Sequence, residues 1–389
     1  MKAQISYQNM SKKNNVILTT VFSGFNYGSS LQALASKIIL SDSGLDCELV
    51  AMKSLVKGRD IRLKKFFTII VRSLLLRGRS GSKALNTYQD SYNKRMIGES
   101  ATLFSRFTDD YLQPKYLSWS SLKRQAKKSV ACFAGSDQIW NSSTMYVDPL
   151  YYLRFAPAEK RVAFAPSFGR DFIADYNLTK MSSWIKDFAH LSVREDSGVR
   201  LIKEKTGRDA IQLVDPSLMV DRERWIKTLN LKEKKENYIL AYFLDKPSDN
   251  AKKVISELKE HLNCDVIAIP YQFDDMSYCD KVLPTGPVEF LDLINNAKCV
   301  LTDSFHGTAF SINLHTPFYV FGRAYGSAHS QNSRIESILK KMNMAGRYEP
   351  TDAVRDYQSI DFVFSERILT EERQKAKNYV ANAIKTIKA

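Results

Sequence analysis

The chain has 389 residues, 44% of them apolar and 25% charged, and carries a formal net charge of +15. That length exceeds one ordinary core and fits two domains, while the opening stretch MKAQISYQNMSKKNN holds no apolar signal core and no run approaches the roughly 18 apolar residues of a spanning helix. Cys47, Cys132, Cys264, Cys279 and Cys299 are scattered, odd in number and never in C-x-x-C spacing, which argues against a disulfide framework or a zinc site and for reduced thiols in a cytoplasmic protein.

In chain order, residues 16–22 (VILTTVF) read as a first strand, followed by the loop SGFNYGSS and a helical pattern, LQALASKIILSDSG, that stops on a glycine. Residues 47–52 read as a second strand, completing a Rossmann-like opening. The loop lacks G-x-G-x-x-G and no acid closes the second strand, so a nicotinamide cofactor is not expected. Asn26, Tyr27 and Gly28 sit in the first-strand loop, where they face a donor or acceptor or else form an ordinary turn and helix cap.

Between residues 53 and 79, nine lysines and arginines (Lys53, Lys57, Arg59, Arg62, Lys64, Lys65, Arg72, Arg77 and Arg79) face the single acid Asp60. The run LKKFFTIIVRSLLLRGR combines bulky apolar residues with cations, the pattern of a peripheral segment at an anionic membrane; the alternative is a core helix with a solvated basic face. No nucleic-acid-binding module accompanies it, and nucleic acid is not an expected partner.

Residues 129–134, 161–169, 189–195 and 210–218 repeat one grammar, an apolar strand followed by a polar loop, at intervals that suit crossover helices. In GSDQIWN (135–141), Asp137 and Gln138 are candidates for sugar hydroxyls and Trp140 for stacking on a ring, against a capping role and a core role. Asp215, ahead of Pro216, reads as a turn former. The charged stretch LNLKEKKEN (229–237) reads as a linker, and strands recur in YILAYFL, CDVIAIP, KVLP, AKCVLT and PFYVFGR. The expectation is an α/β protein of two Rossmann-like domains, residues 1–228 and 229–365, with a cleft between them and a C-terminal helix over 366–389 packing back onto the first.

LTDSFHGTAFSINL (301–314) places His306 at a strand-to-helix junction, where helix N-termini present free N–H groups to anions. Either His306 faces a ligand or it is satisfied by a tight turn in which Gly307 supplies φ freedom. Asp303 is a candidate to orient His306 or to cap the helix. His190, His261, His315 and His329 lack metal-ligand spacing, so no metal is expected.

NYGSSLQA, GSDQIWN, APSFG, SVREDSG, VDPSL and DSFHGTAFSINLHTPF, in this order between Val16 and Arg334, resemble the polysaccharide pyruvyl transferase family. The resemblance implies a fold similar to the glycosyltransferase-B architecture, phosphoenolpyruvate as donor with no further cofactor, and a surface-glycan sugar or its lipid-linked precursor as acceptor. The product would be a cyclic pyruvate ketal. Such a donor needs convergent cations, for which Arg194 and Arg334 are candidates, and a proton source, for which His306 is the candidate. Family members often carry arginine two residues before the histidine; here that position is Ser304, which with Gly307 and Thr308 completes the expected donor loop. Arg323 either compensates for Ser304 in the donor site or is a surface charge, the latter being the preferred reading. The alternatives are a sugar-nucleotide glycosyltransferase of the same architecture and a non-catalytic glycan-binding protein.

Overall fold

The computed structural model describes residues 14–54, 62–75, 98–269, 276–323 and 328–388, with backbone alone for Ser73 and for 328–333. Lys57, Arg59, Asp60, Arg77, Arg79 and the side chain of His329 lie outside the described residues. Strands β1 (Asn15–Thr19), β2 (Asp46–Met52), β3 (Lys115–Leu117), β4 (Ala131–Ala134) and β5 (Arg161–Ala163) form a parallel sheet in the order β3-β2-β1-β4-β5. Beyond β5, the N–H of Ala163 donates to the carbonyl of His190 at 2.9 Å and leads to the pair β6 (Ser192–Val193) and β7 (Ile211–Gln212). The second sheet, of β8 (Tyr238–Tyr242), β9 (Asp265–Ala268), β10 (Lys281–Val282), β11 (Cys299–Thr302) and β12 (Phe318–Val320), is also parallel and repeats the order as β10-β9-β8-β11-β12.

Runs such as NVILT, YILAY and CVLT are apolar at almost every position because helices cover both faces of a parallel sheet. In each sheet the order reverses between the first and fourth strands, β1 beside β4 and β8 beside β11. Loops leaving those carboxyl ends are forced apart and frame a crevice. The two Rossmann-like sheets, with crevices that contribute to one site, make the glycosyltransferase-B arrangement. The structure shortens the expected first strand, which ends at Thr19, and adds the edge strand β3, too short and too exposed to leave an alternating pattern in the sequence.

The halves share a core. One apolar cluster runs from Leu18 through Trp225 and Phe310 to Val380. Tyr27, wholly buried, stacks on Phe290 at 4.6 Å and shares a 2.6 Å hydrogen bond with the hydroxyl of Thr285, so it joins the first-half helix Tyr27–Asp42 to the second-half helix Pro287–Asn296. The helix Phe362–Lys388 crosses back: the Tyr379 hydroxyl donates to the carbonyl of Ala163 at 2.7 Å, and Arg373 Nε donates to the carbonyl of Leu218 at 3.1 Å. Its Nη2 also donates to Oδ1 of Asn313 at 2.9 Å, binding the helix to both halves.

These contacts set an expectation for stability. Tyr27→Ala should lower unfolding free energy by about 3–5 kcal/mol, and Tyr27→Phe, which keeps the ring, by about 1 kcal/mol. Urea titrations check it; equal midpoints for Tyr27→Ala and the parent would refute the packing role.

Candidate functional site

The crevice is built from strand ends. Arg194 follows β6, Asp215 follows β7, Asp137 and Gln138 follow β4, and His306 lies in the first turn of the helix Phe305–Asn313 after β11. A cavity of about 330 Å³ opens there, lined by Arg170, Arg194, Glu195 and Asp215 from the first half and by Phe305 and Arg334 from the second.

Its floor is an ion cluster. Nη1 of Arg194 donates to Oδ2 of Asp215 at 2.5 Å, and Nε donates to Oε1 of Glu195 at 3.2 Å. Nε2 of His306 stands 3.8 Å from the same Asp215 oxygen, an ion-pair distance beyond hydrogen-bond reach. Burial alone would raise the Asp215 carboxyl, but the His306 imidazole and the Arg194 guanidinium reverse that and hold it far below the usual carboxylate range. Asp215 is therefore ionised throughout the neutral range. Burial pulls the Arg194 guanidinium down while Glu195 and Asp215 pull it up more strongly, so it stays charged.

Above the floor, the Phe305 ring carries two guanidinium groups, Arg194 at 4.8 Å and Arg334 at 5.8 Å. For Arg334 the carboxylates of Glu195 and Asp137 compensate only in part. Burial, reinforced by the neighbouring Arg194, pushes it down to about 10. The amide oxygen of Gln138, turned to satisfy both of its groups, accepts from Nη1 and Nη2 of Arg334 at 3.2 and 3.1 Å. Among the described residues, Arg194 Nη2, Arg334 Nε, His306 Nε2 and Glu195 Oε2 are buried without a hydrogen-bond partner. Buried polar atoms are nearly always paired, so the three on the cavity-lining residues Arg194, Glu195 and Arg334 mark where ligand atoms belong, while His306, outside that lining, adjoins it through Asp215.

The remaining sequence candidates divide. Gly28 touches the site: a Cβ there would lie 2.0 Å from Nδ1 of His306, so the imidazole rests directly on the helix N-terminus. Asn26 caps that helix, its Oδ1 accepting from the N–H of Ser29 at 3.0 Å. Tyr27 is engaged between the halves, away from the cavity lining. Asp137, at φ +64°, accepts from the Ser29 hydroxyl and shapes the loop that aims Gln138. Ser304 caps the helix Phe305–Asn313, its hydroxyl accepting from the N–H of Gly307 at 3.3 Å, and Thr308 donates to the Ser304 carbonyl at 2.9 Å. These two are buried scaffold in the structure. Gly307 is helical, and its need is for closeness rather than φ freedom, since a Cβ would meet Thr302 Oγ1 at 2.6 Å.

The structure decides between the alternatives at three further positions. Asp303 does not orient His306: its carboxylate accepts from the N–H groups of Leu244 and Asp245 at 2.7 and 2.8 Å and from Arg323 Nε at 3.2 Å. Arg323 is thus a buried tie and not a surface charge. Trp140 is core, stacked on Tyr152 at 5.7 Å. Sequence reasoning missed Asp215, Glu195 and Phe305 as site residues. Asp215 does form the expected turn, accepting from the N–H of Ser217 at 2.9 Å, but it uses only one oxygen for it. Its position at a strand's carboxyl end was the available signal.

Comparison with known proteins follows this geometry. Over a short stretch the chain is similar to "General stress protein 30" of Bacillus subtilis (strain 168), with 41% identity over 66 residues, or 17% of this chain and 19% of that protein. The match therefore spans under a fifth of that relative's length. Among solved structures it is similar to UGT89C1 of Arabidopsis thaliana complexed with quercetin, at a TM-score of 0.49 and 11% identity, covering 96% of this chain and 100% of that one. It is similar also to the UDP-GlcNAc 2-epimerase of Methanocaldococcus jannaschii, at a TM-score of 0.41 and 13% identity, covering 92% and 98%. The family profile for polysaccharide pyruvyl transferase matches residues 26–325, most of the chain and both crevices, and the chain belongs to that family.

Proposed function

We propose that the protein moves the pyruvyl group of phosphoenolpyruvate onto two hydroxyls of a sugar in a bacterial surface polysaccharide or its lipid-linked precursor, closing a cyclic ketal. The observation that carries this reading is the pair of unpartnered guanidinium nitrogens, Arg194 Nη2 and Arg334 Nε, whose groups both pack on Phe305. A phosphate and a carboxylate on a three-carbon frame would satisfy them, and guanidinium forks suit both groups. A cavity of about 330 Å³ is at the small end for ligand sites, which favours such a donor over a nucleotide sugar.

In this reading His306 Nε2 gives its proton to the methylene carbon, leaving C2 electrophilic. A sugar hydroxyl oxygen bonds to C2 while its proton passes to the open Oε2 of Glu195. The C2–O bond to phosphate then breaks, and Glu195 returns its proton to the departing phosphate. The second hydroxyl closes the ring on C2 and reprotonates His306. Asp215, held ionised, would stabilise the charged imidazole while it waits. No cofactor beyond the co-substrate is invoked. A lipid-linked acceptor would be met at the cytoplasmic face of an anionic membrane, to which the basic sequence of residues 53–79 is suited.

His306→Ala should reduce phosphate release from phosphoenolpyruvate in the presence of acceptor about 100-fold or more with the fold intact. Gly28→Ala should do comparable damage, because its methyl displaces the imidazole. Parent-like turnover in a folded His306→Ala protein removes the proton-donor assignment. Arg334→Gln should raise the donor KM about tenfold or more with thermal stability little changed, since a hydrogen bond to a charged group contributes about 1.5–3 kcal/mol. Thermal protection of the parent by nucleotide sugars and none by phosphoenolpyruvate would instead favour a glycosyltransferase.

A further inference from the structure

The helix Leu63–Leu75 is mounted with its polar side toward the protein. At its start Arg62 pairs with Asp148. Near its end, Arg72 donates to the carbonyls of Met145 and Tyr176 at 2.9 and 2.8 Å and to Oδ1 of Asn177 at 2.7 Å. Ile69 is buried, but Phe66, Phe67, Ile70, Val71, Leu74 and Leu75 are 40–77% exposed, as is Leu63 at 58%. A helix packed on a soluble core shows the reverse orientation. Scattered exposed apolar residues are ordinary; a continuous face of them marks an interaction surface.

Two features choose the occupant. Lys64 is exposed on this helix, and apart from the inward-paired Arg62 and Arg72 the sequence from 53 to 79 carries seven cations against one acid, which complements an anionic surface. The face itself is narrow: 13 residues make a strip about 20 Å long and 10 Å wide, well short of the roughly 800 Å² per partner that a stable protein interface buries. An amphipathic helix in a bilayer boundary needs no such area.

We propose that the outward face of helix Leu63–Leu75 inserts into the headgroup boundary of an anionic phospholipid bilayer and holds the cavity mouth at that surface. The loop that follows the cavity makes the link. Arg170 lines the cavity and lies 5.5 Å over the ring of Phe172, which is 46% exposed, and Tyr176, a few residues on, supplies a carbonyl to Arg72. Apolar face, Phe172 and cavity rim therefore occupy one flank. The inference rests on this surface and not on the identity of the donor; vesicle binding and phosphate release are separate measurements, so either reading can fail alone.

The test is co-sedimentation of the full chain with vesicles of phosphatidylglycerol and phosphatidylcholine, and with phosphatidylcholine alone. The parent should bind the anionic vesicles, more weakly at high salt, and a Phe67→Ser, Leu74→Ser double variant should bind about tenfold less tightly while retaining parental activity on a soluble acceptor. A Phe67→Trp protein should show a blue-shifted emission on adding anionic vesicles. No binding by the parent, or equal binding by parent and double variant, overturns the proposal. So does self-association of the parent that the double variant loses without any vesicle binding, which would assign the face to a second copy.

Discussion

The buried carboxylate of Asp215 binds three strand ends into one site. Its Oδ1 accepts from the N–H of Ser217, while its Oδ2 takes Arg194 and faces His306. A charge with no access to water must be compensated, and breaking a buried pair typically costs about 3–5 kcal/mol. That requirement fixes the ends of β6 and β7 to each other and draws the first turn after β11 toward them. Arg194 in consequence divides its guanidinium: two nitrogens serve protein carboxylates, and Nη2 is left for a ligand. Arg334, whose protein partner is the neutral amide of Gln138, supplies the less compensated charge.

The shared core limits how this site can move. Tyr27 against Phe290, Trp225 against Phe310 and Arg373 on Asn313 tie the halves by aromatic packing and buried hydrogen bonds. Intrachain domains move freely where few contacts cross between them, and a shared apolar core is a constraint of the opposite kind. Access then depends on side chains at the rim. Lys341 is already paired with Glu372 at 2.5 Å, which leaves the Arg170 flank as the more adaptable side.

Much of this was legible in the sequence because parallel strands buried on both faces announce themselves as apolar runs, and loops at their carboxyl ends inherit the site. That logic reached Arg194, His306, Gly28 and Gln138, while Arg334, inside the helix Ala328–Lys341, was reached only through the family resemblance. It stopped where one residue has two jobs or where the partner is distant. Asp215 looks like a turn former and is one, but its second oxygen meets residues 21 and 91 positions away. Asp303 sits closer in sequence to His306 and yet turns to backbone across β8, because the sheet places Leu244 and Asp245 beside it. The polarity of residues 63–75 was visible, but which side faces the body depends on Arg72 finding Tyr176 and Asn177, which no periodicity records.

The crossing helix Phe362–Lys388 also bears on how the protein is made. Chains emerge from the ribosome N-terminus first, at about 5–20 residues per second. The first sheet is complete long before Tyr379 and Val380 arrive to cover the apolar surface beside Ala163 and Leu218. During that interval a partly folded first half displays an open seam, the kind of surface that recruits chaperones or seeds misassembly. Expression yield should therefore respond to translation speed through the second half, independently of the stability of the finished protein.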